Sequence, residues 1–311
     1  MFIFRTTMIQ HLLILLLAAA GVMPAYAFLY EKGGTCLPSL SLPASARMRA
    51  LGDAGAADVR DGAYASVNPA GIAAIDDDLI FLEHMNYFMD MKSEYLSATL
   101  KYERLSVGVA VQYFDMGAAP LTRDGGDYDE ANTFHAYDAA VMLTSKVTLG
   151  AFNVGATIKG LRESIWTQSM NGIACDLGAT WRTPVQGLIA GAALMNAGYM
   201  SALAENRYPL STLFRTGVVY SRPVNESVKS KLLLDMNMSA DGYFTMPAGV
   251  ELTYSALSFR AGYHFLHDTR SFSAGVGLVF GNLTIDYCYI RYLDDINAGS
   301  TPQFFALGIG I

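Results

Sequence analysis

Cysteine is scarce in this chain. Cys36, Cys175 and Cys288 are all there is, too few for the disulfide framework of a small exported domain. Cys36 is no lipoprotein anchor either, because Glu31-Lys32-Gly33-Gly34-Thr35 precedes it where an apolar leader would have to stand. Charge is sparse as well, at 16% of residues with a formal net charge of −7. Nucleic acid is therefore not an expected partner, since its recognition relies on clustered Lys and Arg. Beyond residue 27 no apolar run approaches the roughly 20 residues of a bilayer-spanning helix, although 52% of the chain is hydrophobic. An inner-membrane helical protein is not expected on that ground. Also missing are a nucleophile elbow, zinc-ligand spacing, a Walker loop and a dinucleotide fingerprint. His84, His135, His264 and His267 are scattered, so no cofactor and no enzymatic activity are expected; His264 with Ser271 is the pair a lipid hydrolase would use.

The first residues carry Arg5, an apolar run over 12–20 and then Ala25-Tyr26-Ala27. These have the order of a signal peptide's basic, apolar and small-residue cleavage regions, with cleavage expected after Ala27. From Leu79 to the end the chain alternates between apolar and small or polar residues, with no helical period. An exported chain with that pattern predicts an all-β fold, a transmembrane antiparallel β-barrel. A periplasmic β-sandwich would need far more charge on its solvent face.

Tight turns test the alternation. With Ser255-Ala256 as a two-residue turn, Tyr254 faces Leu257, Leu252 faces Phe259 and Glu251 faces Arg260. Gly281-Asn282 likewise sets Leu278 against Ile285 and Ala274 against Tyr289, and Glu103-Arg104 sets Leu100 against Val107. Extending these registers gives about fourteen strands, an even number as closure from the periplasmic side requires. Val109, Val111, Leu252, Phe259, Leu278, Ile285, Phe305 and Ile309 then face outer-membrane lipid, and Gln112, Lys159, Asp176, Asp235, Glu251, Arg260, His264 and Asp286 line the lumen. Cys175 and Cys288 fall on opposite faces, so no bond between them is expected. Short connections at Glu103, Pro184, Ser255 and Gly281 alternate with long ones at residues 115–133, 198–207 and 294–301. Tyr87, Tyr102, Tyr220, Tyr254 and Tyr292, near strand ends, read as an interfacial girdle. The acidic stretch 124–130 has carboxylates of the kind that ligate Ca²⁺, but it lacks EF-hand spacing and reads as a solvated loop.

Alternation is missing from residues 28–75, which are rich in Gly, Ala and Pro. Here stand Ser41-Leu42-Pro43-Ala44-Ser45-Ala46-Arg47, then Ala50-Leu51-Gly52-Asp53-Ala54-Gly55-Ala56-Ala57, then Tyr64-Ala65-Ser66-Val67-Asn68-Pro69-Ala70-Gly71. This ordered set resembles the amino-terminal region of the PorV/PorQ family of FadL-like outer-membrane barrels. It departs from the family pattern at Asp53, where glycine is usual, and at the terminal Ile311, where many barrels have an aromatic residue. The resemblance implies a hatch over residues 28–78 inside a barrel over 79–311, following a signal peptide over 1–27. It marks Arg47, Gly52, Asn68, Pro69, Ala70 and Gly71 as hatch residues. It also implies one of two functions. The first is passage of a hydrophobic or amphipathic small molecule across the outer membrane; the second is an accessory or scaffold role in type IX-like protein secretion, with secretion-system proteins as partners.

Overall fold

The computed structural model describes residues 33–74, 77–122, 128–203, 205–266, 271–293 and 301–311. The leader and the acidic residues 124–127 lie outside them. Fourteen antiparallel strands close into one barrel. They are β1 Leu79–Asn86, β2 Lys92–Lys101, β3 Leu105–Thr122, β4 Tyr128–Leu149, β5 Phe152–Ile165, β6 Gln168–Arg182, β7 Leu188–Met200, β8 Leu213–Pro223, β9 Val228–Ser239, β10 Phe244–Tyr254, β11 Leu257–Phe265, β12 Ser271–Phe280, β13 Leu283–Tyr292 and β14 Gln303–Gly310. β1 pairs with β14 from Leu79↔Gly310 to Asn86↔Gln303, so no strand edge is left open. Closure of this kind lets a strand cross hydrocarbon with its backbone groups satisfied. None of the described helices is long and apolar enough to cross a membrane.

The tight-turn registers are those read from the alternation. Glu251 lies opposite Arg260 and Leu252 opposite Phe259. Leu278 lies opposite Ile285 and Ala274 opposite Tyr289, and Leu100 opposite Val107. The two faces separate sharply in chemistry. Ile158 is 67% exposed on the outer face, whereas Lys159 beside it on β5 is fully buried. Val109, Val111, Leu252, Phe259, Leu278, Ile285, Phe305 and Ile309 are all outward and exposed. All three cysteines are free, with Cys175 outside the wall and Cys36 and Cys288 buried.

One connection differs from the sequence reading. Instead of a loop over 115–133, β3 runs on to Thr122 and β4 begins at Tyr128. Asp115, Gly117 and Pro120 break the alternation but not the pairing. Register shifts between Asp115 and Ala118 and between Pro120 and Leu121 absorb the irregularity.

Residues 33–74 stay out of the sheet except for a parallel bridge between Cys36 and Leu210. They form short turns: a 3-10 turn at Pro38–Ser41, a helix at Ala46–Ala50 whose N-cap Ser45 accepts from Met48 N, a helix at Tyr64–Val67 and a 3-10 turn at Pro69–Ala74. From residue 43 to residue 72 every residue is buried except Asp53 and Arg60. The first helix packs against β11 to β14, and the last turn against β3 to β6. Where this segment presses closest on the wall, the wall residue is often glycine. Gly155 meets Pro69 and Ala70, Gly178 meets Asn68, Gly191 meets Ala56, and Gly262 meets Gly52. Gly52 itself has φ +69 and would place a Cβ 2.7 Å from Tyr263 N, so no other residue fits there.

Candidate functional site

Two polar constellations tie residues 33–74 to the wall. In the first, Arg47 Nε donates to Glu251 Oε2 at 2.9 Å and its Nη2 to Asp58 Oδ2 at 2.8 Å. Glu251 also accepts from Arg260 Nε at 2.6 Å, and Arg260 Nη1 reaches Asp286 Oδ1 at 2.5 Å. Lys231 from β9 closes the group on Asp58 at 2.8 Å, with Arg60 on the other oxygen at 2.7 Å. Burial alone would raise the Asp58 carboxyl, but Arg47, Lys231 and Arg60 outweigh it and hold that group well below the carboxylate range. Burial works against the Arg47 charge in the same way, and Glu251 and Asp58 reverse it. In the second constellation, Asp235 Oδ2 accepts from Gly55 N at 2.7 Å and Ala56 N at 2.8 Å.

Asn68 is fully buried. Its Nδ2 donates to Ala56 O at 2.6 Å, and its Oδ1 accepts from Ala70 N at 3.0 Å. Those bonds hold the Asn68-Pro69-Ala70-Gly71 turn against its own segment.

A cavity of about 520 Å³ lies at the barrel end opposite the tight turns. Leu42, Leu213 and Ile290 give it apolar walls, with Tyr87, Phe88 and Tyr292 among its aromatic lining. Two buried guanidinium groups line it as well. Arg49 is 4% exposed and Arg215 is 1% exposed. Arg49 Nη1 binds Asp53 at 2.9 Å and its guanidinium lies 5.1 Å from the Phe304 ring centre, while Arg215 Nη2 donates to Ser41 O at 2.8 Å. Their remaining nitrogens, Arg49 Nε and Nη2 and Arg215 Nε and Nη1, have no hydrogen-bond partner among the described residues. Buried donors are nearly always paired, so four unpaired nitrogens on two cavity-lining side chains are a departure that an acceptor drawn in beside them would relieve.

The residues singled out in the sequence are thus divided between two places. Arg47, Glu251, Arg260 and Asp286 meet in one ion cluster, and Gly52, Asn68, Pro69, Ala70, Gly71 and Asp235 serve the seat of the segment. Of the predicted lumen and hatch residues named above, His264 lines the cavity, as does its partner Ser271. It stands opposite Ser271 in register. Asp53 Oδ2 is 3.9 Å from His264 Nδ1, farther than the orienting hydrogen bond of a nucleophile–base relay.

Arg49, Asp53 and Arg215 were not anticipated. Arg215 could have been found, because it faces Asn237, a lumen position of β9. The tyrosine girdle needs correction at two of its members. Tyr102 and Tyr254 are exposed outside the wall, but Tyr87 and Tyr292 line the cavity, their hydroxyls 3.3 Å apart. Tyr292 shares the parity of Asp286, which turns it inward, and Tyr87 follows the end of β1, where alternation stops.

No curated protein matches this sequence. Among solved structures, the toluene transporter TodX of Pseudomonas putida superposes with a TM-score of 0.60 at 11% identity, covering 90% of this chain and 96% of that one. A deltaS2 mutant of the TodX monoaromatic hydrocarbon channel gives 0.57 at 10% identity, covering 85% and 96%. At such identities the likeness is one of fold. The matching family model is that of the Uncharacterised protein family (UPF0164), over residues 27–186. That is half of the sequence, and the chain belongs to that family.

Proposed function

We propose that this protein is an integral outer-membrane barrel, exported through a cleaved leader, that takes up an amphipathic small molecule through the cavity above its amino-terminal segment. The observation that carries this reading is the juxtaposition of four unpartnered guanidinium nitrogens with an aromatic and apolar lining. An apolar body beside a few placed polar groups is the usual make-up of a small-molecule site. Paired guanidinium groups prefer a carboxylate, which accepts two parallel hydrogen bonds. The cargo is then anionic at one end, unlike the toluene that TodX is described as transporting. Residues 33–74 act as the hatch, with Arg47, Gly52 and the Asn68 turn holding it and the Glu251, Arg260 and Asp286 cluster anchoring it. The PorV/PorQ resemblance, with its secretion role, rests on the amino-terminal motifs and has no further support in the cavity.

Proteoliposomes test the reading. Dodecanoate should enter vesicles that contain the protein at least about tenfold faster than empty vesicles, and Arg215→Met should lower that rate by about tenfold, the effect of about 1.4 kcal/mol. Entry no faster than in empty vesicles would end the proposal.

A further inference from the structure

Residues 33–42 cross the lumen beside the cavity as a strap with polar anchors on the β9–β10 turn, on the β7–β8 connection and on strands β4 and β5. At one end Gly33 N donates to Asp241 Oδ2 at 3.3 Å. In the middle Cys36 N donates to Pro209 O at 2.9 Å and Ser211 Oγ to Leu37 O at 2.8 Å. The third anchor lies across the barrel, on β4 and β5. There Ser39 Oγ donates to Asp138 Oδ2, and Leu37 N donates to Glu163 Oε2 at 3.2 Å.

That third anchor has an unusual composition. Asp138 and Glu163 are register partners on adjacent strands, so the two carboxyls stand directly side by side on the inward face. They are 3% and 7% exposed. No cation faces them among the described residues. From β3 the partner of Asp138 is Phe114, and from β6 the partner of Glu163 is Met170. The strap contributes Ser39 and the buried Cys36 thiol. Lys159, farther along β5, is engaged with Asp176 at 2.9 Å. Two like charges directly opposite each other destabilise a strand pair, and two adjacent buried carboxyls share a proton in preference to ionising together. Asp138 Oδ1 has no partner among the described residues, which leaves it a position for that proton.

The strap is also under strain where it meets this pair. Leu37 has φ 48 and ψ 55, left-handed backbone that a branched side chain adopts at a cost. It stays there because Glu163 and Ser211 hold its N–H and its carbonyl. Pro38, Ser41 and Leu42, the residues that follow, line the cavity.

We propose that the Asp138–Glu163 carboxyl pair is a proton-dependent latch: with one shared proton it holds the strap over the cavity, and loss of that proton releases it. The hold is full at acid pH and weakens as pH rises, because a proton kept by the folded state is lost only at higher pH. Release frees residues 37–42 from the cavity wall and widens the way in from the long-loop end. The mechanism does not depend on which cargo the cavity takes.

Cys36 reports on the strap, since it is buried and its thiol is pushed up to about 12, first by burial and then by Glu163. The full protein in lipid nanodiscs is treated with N-ethylmaleimide, the Cys36 peptide is quantified by mass spectrometry, and the rate is divided by that of N-acetylcysteine at the same pH. This ratio should climb about tenfold between about pH 6 and about pH 9 in the wild type. Asp138→Asn and Glu163→Gln each preserve the acceptor for the strap and remove the like charge, so each should hold the ratio flat. A heat-dependent gel shift checks that each variant is a folded barrel. A flat wild-type ratio overturns the latch whether or not the variants fold, and so does a climb in a folded variant equal to that of the wild type.

Discussion

At the residue scale, Arg47 has the most to hold. It joins the segment's own Asp58 to Glu251 of the wall while 5% exposed. Removing one partner from a buried ion cluster leaves the others uncompensated, at about 3–5 kcal/mol. Arg47→Ala should therefore lower the urea midpoint of the reconstituted barrel and speed proteolysis in the amino-terminal segment. Arg47→Ala with an unchanged midpoint would mean that the cluster carries no stability. Asp58 adds a pH dependence of definite sign. Its carboxyl lies below its unfolded value, so its contribution is full above about pH 4 and lost as pH falls further. On the acid side the urea midpoint should drop below about pH 4, with a shallower drop in Asp58→Asn. Arg49 shows why the sequence does not reveal every role. Two positions from Arg47 on the same short helix, it points to another face and meets Asp53 and the cavity. The sequence shows two similar arginines; only the wall behind each tells them apart.

At the element scale, hairpins were legible because their evidence is local. A two-residue turn brings Glu251 opposite Arg260 whatever the rest of the chain does. The seat of the amino-terminal segment was not legible, since it depends on contacts between residues more than a hundred positions apart. Gly178 against Asn68 and Gly191 against Ala56 are such contacts. In the strand pattern each is only a small residue on the inward face. A Cβ at Gly191 would lie 2.2 Å from Ala56 O, a clash with backbone that no rotamer change relieves. Gly191→Val should unseat the segment at about 1–3 kcal/mol or more and expose Arg47 to trypsin. Gly160→Val, where a Cβ meets nothing within 4 Å, is the matched control and should leave the digestion pattern as in the wild type. Equal digestion of the two variants would refute the seat. The long β3–β4 hairpin shows the opposite limit: Gly117 and Pro120 look like loop residues, yet bulges keep their strands paired.

At the scale of the whole molecule, one wall separates two chemistries. Val, Leu, Ile and Phe are exposed on the outer face, while Lys159, Asp176, Arg215, Asp235 and Asp286 are buried inside. The amino-terminal segment consumes most of that inner charge in fixed pairs. The unpartnered guanidinium nitrogens belong to Arg49 and Arg215, which line the cavity with Tyr87, Phe88 and Tyr292. Closure and face could be read from alternation, but a cavity is a property of the assembled chain and has no period. The function proposed for the barrel depends on what that cavity binds. The most direct measurement is equilibrium binding of dodecanoate and of dodecanol, a neutral partner of equal chain length, to the protein in lipid nanodiscs. Saturable dodecanoate binding at least about tenfold tighter than dodecanol, with the preference abolished in Arg215→Met, is the predicted result; no saturable binding of either, or equal affinity for both, would contradict it.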